Sequence, residues 1–236
     1  MIIASLQKQS LIEYPGKISS VIFLAGCNLR CGFCYVPDLV VEEKIRKIRP
    51  IKEEEVLSFL KKRKKFLDAV VITGGEPTIN KELPTFIEKI KKIGYCVGIE
   101  TNGTVPSMLS KLINKQLVDY VALDIKHDLI FKKYNEICGG LLTKKMFSNV
   151  AKSIRMLLNG DIAYEFRTTL VKEFHTKKDI LNVCKKIRKA RVYYLQNYKE
   201  NENVAKKKFT PFSEEEIEEI IKEGKKWCNI LQRKYF

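Results

Sequence analysis

Short apolar segments and amphipathic stretches alternate along this chain, and that alternation restricts its fold more than any other feature. Six segments rich in β-branched or aromatic residues recur: "SVIFLAG", "AVVITGG", "CVGIETNG", "YVALDIK", "AYEFRTTL" and "VYYLQNY". Several are near-continuous hydrophobic runs, the pattern of parallel strands covered on both faces. Between them, "IKEEEVLSFLKKRKKF", "KELPTFIEKIKKIG", "MFSNVAKSIRMLLNG" and "KKDILNVCKKIRKA" space their apolar residues by three and four, as helices with one buried face do. Strand and helix thus alternate about six times, which predicts an α/β protein of parallel βα units, wrapped into a barrel or a doubly wound sheet. A last helix is marked by a capping box at Ser213 and Glu216, acidic first turns, and Lys225 and Lys226 near its end. It is expected to close one side of the sheet. No fixed-period repeat or Ser/Gly-rich linker divides the 236 residues, so one domain is expected, with the polar stretch 199–212 as a mobile loop.

Parallel α/β folds bind ligands at the carboxyl ends of their strands. Five of the six segments carry polar chemistry at that end: the loop with Cys27, Cys31 and Cys34 follows the first; Gly74, Gly75 and Glu76 follow the second; Glu100, Thr101 and Asn102 end the third; Asp124 and Lys126 end the fourth; Arg167 and Thr168 come late in the fifth. Asp124 and Lys126 stand two residues apart, so both side chains point to one face of their strand, where each offsets the other's charge. A metal-binding loop, a Gly-Gly turn and several ionic side chains therefore converge on one expected mouth, fit to hold a charged small molecule against a metal.

Seven cysteines, an odd number with three of them clustered, fit a metal or redox site in a reducing compartment better than a secreted disulfide framework. A tetrahedral zinc site or an ordinary iron–sulfur cluster takes four protein ligands, yet the run "CNLRCGFC" stops at three. The balance of 44 Lys and Arg against 28 Asp and Glu, net +16, favours an acidic partner of some kind without choosing among nucleic acid, anionic cofactor and acidic protein. No apolar run approaches the length of about 18 residues that crosses a bilayer, and the N-terminus has no secretory signal pattern, so a soluble, cytoplasmic protein without a membrane partner is expected.

The triplet Cys27-x-x-x-Cys31-x-x-Cys34, with Phe33 just before the third cysteine, resembles the signature of radical S-adenosylmethionine (SAM) enzymes. The resemblance implies a [4Fe–4S] cluster on three thiolates, with one iron left open for the amino and carboxylate groups of SAM. It runs from about "SLIEYPGK" to "LQNY" and lies nearest the glycyl-radical-enzyme activating proteins, in particular those of anaerobic ribonucleoside-triphosphate reductase, through "LQKQSLIEYPGKISSVIFLAGCNLRC", "TGGEPT", "ETNGT" and "DIK" in order. It implies an incomplete (β/α)6 TIM-like barrel, a radical SAM core over about 18–200, followed by a C-terminal extension over 201–236 that carries the last helix. By the same resemblance Gly74 and Gly75 meet the methionyl amino group with Glu76 beside them, and Phe33 packs near the adenine. Thr101, Asn102, Asp124, Lys126 and Arg167 contact the methionyl or ribose part, Lys126 and Arg167 being suited to its carboxylate. Glu100, Thr101 and Asp124 match the place where one such activase holds a monovalent cation.

The implied activity is that of an oxidoreductase. A reduced cluster cleaves SAM to methionine and a 5'-deoxyadenosyl radical, which takes hydrogen from a glycine of a partner enzyme, with a flavodoxin or ferredoxin-type electron donor and no catalytic side chain beyond cluster and SAM. The alternatives are a radical enzyme acting on RNA or a small heterocycle, and an activase of another glycyl radical enzyme such as pyruvate formate-lyase. Two departures bear on the partner: Tyr35 stands where these activases often have histidine, and Gln196 stands where a pyruvate formate-lyase activase would have histidine.

Plainer readings exist for each feature. The cysteine triplet alone would suit a structural zinc knuckle, Gly74-Gly75 a tight turn, and Asp124 with Lys126 a buried ion pair; it is their order along the chain that argues for one site. Cys96, Cys138, Cys184 and Cys228 read as buried apolar filler, and His127 and His175 as polar loop residues. The basic runs Lys61 to Lys65, Lys185 to Arg191 and Lys206 to Lys208 read as solvated helix surfaces rather than nucleic-acid contacts.

Overall fold

The computed structural model describes residues 1–200 and 209–233. In chain order the elements are β1 (Ile3–Ser10), β2 (Ser19–Leu24), α1 (Glu42–Ile45), α2 (Glu53–Arg63), β3 (Ala69–Gly74), α3 (Leu83–Ile93), β4 (Cys96–Thr101), α4 (Pro106–Asn114) and β5 (Tyr120–Asp124). They continue with α5 (Phe131–Ile137), α6 (Lys144–Asn159), β6 (Ala163–Leu170), α7 (Lys177–Lys186), β7 (Tyr193–Asn197), α8 (Glu214–Gly224) and β8 (Ile230–Gln232). The strands are neighbours in one sheet in the order β1 to β8. Six of them, β2 to β7, each lead into a helix, so the expected (β/α)6 class of an incomplete TIM-like barrel holds. No helix among the described residues is long and apolar enough to cross a membrane.

The count of six strands needs correcting to eight. β1 pairs antiparallel with β2, and its sequence IASLQKQS has apolar residues only at Ile3, Ala4 and Leu6 before four polar ones, so it forms no apolar run and escapes a search for buried strands. β8 is three residues long and pairs parallel with β7, so the chain beyond α8 adds a strand to the sheet where a helix alone was expected. The expected loop 199–212 lies partly, and the basic run at 206–208 wholly, outside the described residues; no helix or strand occupies 209–212.

By packing, the chain forms two compact units: residues 1–28, 36–101 and 105–121, and residues 29–35, 102–104 and everything from 122 onward. In the first, β2, β3 and β4 run parallel, and Val21, Ile22, Leu24, Val70, Val71, Ile72, Val97 and Ile99 are all buried, as strands covered on both faces require. α2 contributes Val56 and Leu60 to this core and α3 contributes Leu83, Phe86, Ile87 and Ile90. Lys61, Lys62, Lys64 and Lys65 at the end of α2 are exposed, the solvated surface that was expected.

In the second unit β6, β7 and β8 are parallel, α6 buries Val150, Ile154 and Leu157, and α7 buries Ile180, Val183 and Cys184. The capping box at Ser213 and Glu216 forms as predicted. Cys184 and Cys228 touch through their thiols inside this core, in keeping with their reading as filler; Cys138 is also fully buried, whereas Cys96 is partly exposed.

The two histidines stand in loops, as expected, but are buried there. His127 and His175 are 1% and 2% exposed, and their rings stack 5.2 Å apart. His175 donates from Nε2 to the Lys126 carbonyl at 2.8 Å and accepts the Val171 N–H on Nδ1 at 3.2 Å, a pattern that needs the neutral ring. Burial brings its pKa down to about 4, against a weaker opposing pull from the Lys126 carbonyl. A folded pKa below the ordinary value of about 6.5 gives stability that is present above 6.5 and lost as pH falls from there towards 4. We expect urea unfolding to report a loss on the order of 3 kcal/mol across that window, and a His175→Gln variant to flatten it. Asp179 contributes in a separate, lower window, because Lys133 and Thr176 outweigh burial and hold its pKa at about 2.

Candidate active site

In the first unit the turn after β3 is locked to the backbone just ahead of Cys27. Gly75 N–H donates to Leu24 O at 2.8 Å, Glu76 N–H donates to Gly26 O at 2.7 Å, and Gly26 N–H donates to Leu39 O at 2.7 Å. A Cβ on Gly75 would lie 1.9 Å from Gly26 O, and one on Gly74 would lie 2.3 Å from Leu24 O. Glycine is therefore demanded by the approach of two backbones. Since these amides are engaged, what the turn can offer a ligand is carbonyl oxygen, the partner that an ammonium group needs.

Glu76 is buried and accepts from Thr78 N at 3.0 Å, from Thr78 Oγ1, and from Thr101 Oγ1 at 2.7 Å. Two residues expected to contact SAM thus meet each other, and Glu76 also caps the single helical turn Pro77–Ile79. Glu100 accepts from Thr73 Oγ1 at 2.7 Å. As neighbours on β4, Glu100 and Thr101 face opposite sides of the strand and serve different partners.

The second unit holds Cys31, Phe33, Cys34, Asn102, Asp124, Lys126 and Arg167. Arg30 N–H donates to Cys138 O at 3.0 Å, and a Cβ on Gly139 would fall 2.1 Å from Arg30 O, so the cysteine loop is fastened to the end of α5. Lys126 pairs with Asp124 at 2.7 Å, the ion pair that their alternate spacing predicts. Burial disfavours the Lys126 ammonium, but Asp124 and Cys31 outweigh it and hold its pKa above the ordinary lysine value. Phe33 is buried, lies 6.0 Å from Lys126 Nζ and packs on Phe174, which packs on Phe209. Tyr35 stacks on Tyr198, and its hydroxyl accepts from Lys199 N at 2.9 Å. Asn102 Oδ1 accepts from Thr104 N at 3.0 Å and Thr104 Oγ1 at 2.6 Å, which shapes the loop leaving β4. Arg167 is 4% exposed and donates from Nε to Glu165 Oε1, a partner the sequence reading missed. The signal was present: Glu165 and Arg167 have the same alternate spacing as Asp124 and Lys126.

Residues 21–156 match the Radical SAM superfamily. The chain belongs to that superfamily. It is 33% identical over 240 residues, 98% of this chain and 95% of the relative, to a Methanocaldococcus jannaschii protein provisionally assigned as a glycyl-radical enzyme activating enzyme. It is 29% identical to the 7-carboxy-7-deazaguanine synthase of Aquifex aeolicus over 78% of this chain and 85% of that one. Among solved structures, a radical SAM methyltransferase from Sphaerobacter thermophilus superposes with a TM-score of 0.67 at 14% identity, over 94% of this chain and 68% of that one, a likeness of fold.

Membership of the radical SAM superfamily implies a [4Fe–4S] cluster and SAM. The donor set suits the cluster: thiols are soft ligands, and Cys27, Cys31 and Cys34 are partly exposed and outside any disulfide. Among the described residues no three His, Cys, Asp or Glu side chains stand as a preformed metal group. Cys31 is nonetheless poised to ligate, because a hydrogen bond from the Cys138 thiol, aided by Lys126 and opposed by burial, brings its pKa down to about 7. Cys138, fully buried as expected, is the thiol that lies against Cys31.

Proposed function

We propose that this protein is a radical SAM activase, which cleaves SAM reductively and uses the adenosyl fragment to take a hydrogen atom from a glycine of a partner enzyme. The observation that carries the reading is the near full-length match to a protein of that assignment. Anaerobic ribonucleoside-triphosphate reductase is the partner we favour, from the motif order "LIEYPGK", "TGGEPT", "ETNGT" and "DIK". In this reading 1–236 is one catalytic domain, and a flavodoxin or ferredoxin-type protein in a reducing cytoplasm supplies the electron. When bound on Cys27, Cys31 and Cys34, the cluster supplies the one-electron reduction of the sulfonium.

The chain's own residues bind and orient. Carbonyl oxygens of the Gly74-Gly75 turn receive the methionyl ammonium, Lys126 and Arg167 receive its carboxylate, and Phe33 lines the adenine side. Thr101, Asn102 and Asp124 set the remaining methionyl and ribose contacts, with Glu76 holding Thr101; a monovalent cation expected at Glu100, Thr101 and Asp124 would meet Thr101 only through its backbone carbonyl, since its side chain faces away from that of Glu100.

A second reading, a radical enzyme acting on a small heterocycle, draws support from the match to a 7-carboxy-7-deazaguanine synthase. Anaerobic incubation of the reconstituted protein with SAM, reductant and the ribonucleotide reductase separates the two. We expect a glycyl radical signal by electron paramagnetic resonance. Full cluster loading and SAM cleavage without that signal, accompanied by 7-carboxy-7-deazaguanine from a heterocyclic substrate, would replace the first reading by the second. A Lys126→Ala variant should keep its iron and sulfide but bind SAM roughly 10 to 100-fold more weakly, the worth of a charge-assisted hydrogen bond; equilibrium dialysis with labelled SAM measures this directly.

A further inference from the structure

One aromatic ring from late in the chain lies against the loop that carries Cys31 and Cys34. A Cβ on Gly32 would lie 3.2 Å from Phe209 Cζ, so glycine is what lets the ring come this close to the backbone between the two cysteines. Phe209 is 8% exposed; it packs on Phe174 at 5.6 Å and meets Tyr198 edge-on at 5.8 Å. Phe174 packs in turn on Phe33 at 6.3 Å, and Tyr198 stacks on Tyr35 at 6.1 Å. The two residues that flank Cys34 are therefore both joined to Phe209, each through one further ring. Phe209 sits on a strap, 209–213, that leads into α8 and is fixed by more than its ring. Lys172 N–H donates to Thr210 O at 3.0 Å, and Thr210 donates to Glu173 Oε1 from its N–H at 3.0 Å and from Oγ1 at 2.8 Å. Asn197, the last residue of β7, donates from Nδ2 to Phe212 O at 2.8 Å and accepts the Phe212 N–H on Oδ1 at 3.0 Å.

A loop with neither helix nor strand of its own is only as rigid as what packs on it. This one is tied to the end of α5 through the Arg30 and Cys138 backbones, and Phe209 supplies an apolar contact at Gly32. Cys31 and Cys34 remain partly exposed, as side chains that must admit a ligand are, so the ring fixes the loop without closing off its thiols. The support around a metal site decides how firmly its ligands are held, and changes there alter metal retention without touching a ligand. We propose that Phe209 is a positioning residue for Cys31 and Cys34: brought in on the strap, its ring clamps the loop that carries both. The inference rests on the reading given above only for what the two thiols hold, a cluster. The clamp itself belongs to the chain and is tested without one.

Two measurements on the full chain test it. In metal-free protein, amide hydrogen exchange of the segment 29–35 reports opening of the loop, which the Cys34 N–H to Cys31 O bond otherwise resists. Phe209→Ala is expected to speed that exchange at least about tenfold, because loss of a buried ring costs more than a tenfold change in local opening requires. Exchange in α6, buried in the same unit, should not change. Phe209→Leu should restore most of the protection. After cluster reconstitution, the iron bound by Phe209→Ala should pass to excess chelator about tenfold faster than in the wild type. Should Phe209→Ala fail to fold, Asn197→Ala decides: it cuts both hydrogen bonds to Phe212, leaves the ring in place, and should speed exchange in 29–35 about threefold or more. Equal acceleration in α6 would make Phe209 a part of the general core. Unchanged exchange in 29–35, or unchanged iron release, would show that the ring clamps nothing; each of these overturns the inference. A wild-type chain that takes up no iron and sulfide, while Phe209→Ala still loosens 29–35, would keep the clamp and remove the cluster reading instead.

Discussion

Replacing Cys31 by alanine will give a folded protein that takes up little iron and sulfide and releases no measurable 5'-deoxyadenosine from SAM. In the proposed reading the cluster is held by three thiolates, with no protein ligand to spare, and the loss should exceed the 10 to 100-fold that outer-shell changes typically cause, so at least about a hundredfold in cleavage is expected. The fold should survive for local reasons. The tight turn of the loop is made by backbone, Cys34 N–H to Cys31 O at 3.1 Å, and the loop's tie to Cys138 is also made by backbone. Lys126 keeps Asp124 at 2.7 Å, so no unpaired charge is left behind. Iron and sulfide per chain, the visible absorption of the cluster and a thermal melt check this together. Cys96→Ala, at a partly exposed position on β4, should load normally. A Cys31→Ala protein with full iron and sulfide would dismiss the triplet as the cluster site and return it to the zinc-knuckle or structural reading.

How much of this was legible in the sequence depends on whether the signal is local. "AVVITG" coincides with β3, because a strand buried on both faces writes nearly its whole length as an apolar run, and "AYEFRTTL" coincides with β6 through its aromatic and β-branched residues although Glu165 and Arg167 interrupt it. β1 writes no such run. Its Gln7, Lys8 and Gln9 belong to a strand held by antiparallel pairing, Leu6 opposite Ile22, and that partner is a property of the fold rather than of the segment. At the site, the pairing of Asp124 with Lys126 follows from strand alternation, and the same rule applied to "YEFR" would have paired Glu165 with Arg167. No local rule supplies the second partner of Glu165, Arg233 at 2.8 Å and 68 residues away, since only the register of β6, β7 and β8 brings it there. Glu76 and Thr101 illustrate a different limit. Residue type and position at a strand end mark a side chain as available for polar contact, but they cannot say how much of that capacity a neighbour takes, and here each takes part of the other's. The burial of His175 was illegible for a related reason: a buried imidazole is inexpensive once both nitrogens find backbone partners, and those partners, at Val171 and Lys126, are set by tertiary structure.

Gly75→Ala is expected to be the most damaging single methyl in the chain. The added carbon would lie 1.9 Å from Gly26 O and 2.5 Å from Gly26 C, and both are backbone atoms with no rotamer by which to yield. Relief requires the turn after β3 to move away from the loop after β2, which breaks Gly75 N–H to Leu24 O and Glu76 N–H to Gly26 O in buried surroundings. Overpacking and two lost hydrogen bonds together amount to about 3 kcal/mol or more, and at about 2 to 4 °C per kcal/mol for a domain of this size the melting midpoint should fall by at least about 6 °C. Because Gly26 precedes Cys27, the displacement should also reduce cluster loading, so a stability change and an iron deficit are expected in the same variant. Gly140→Ala is the proper control: its φ of +79° strains any side chain, but nothing lies within 4 Å of the added carbon, so the cost should stay near 1 to 2 kcal/mol with iron content intact. If Gly75→Ala melts no lower than Gly140→Ala and loads its cluster fully, then the contact between the two turns is not what fixes the glycine, and the geometry inferred for the methionyl end of the site loses its footing.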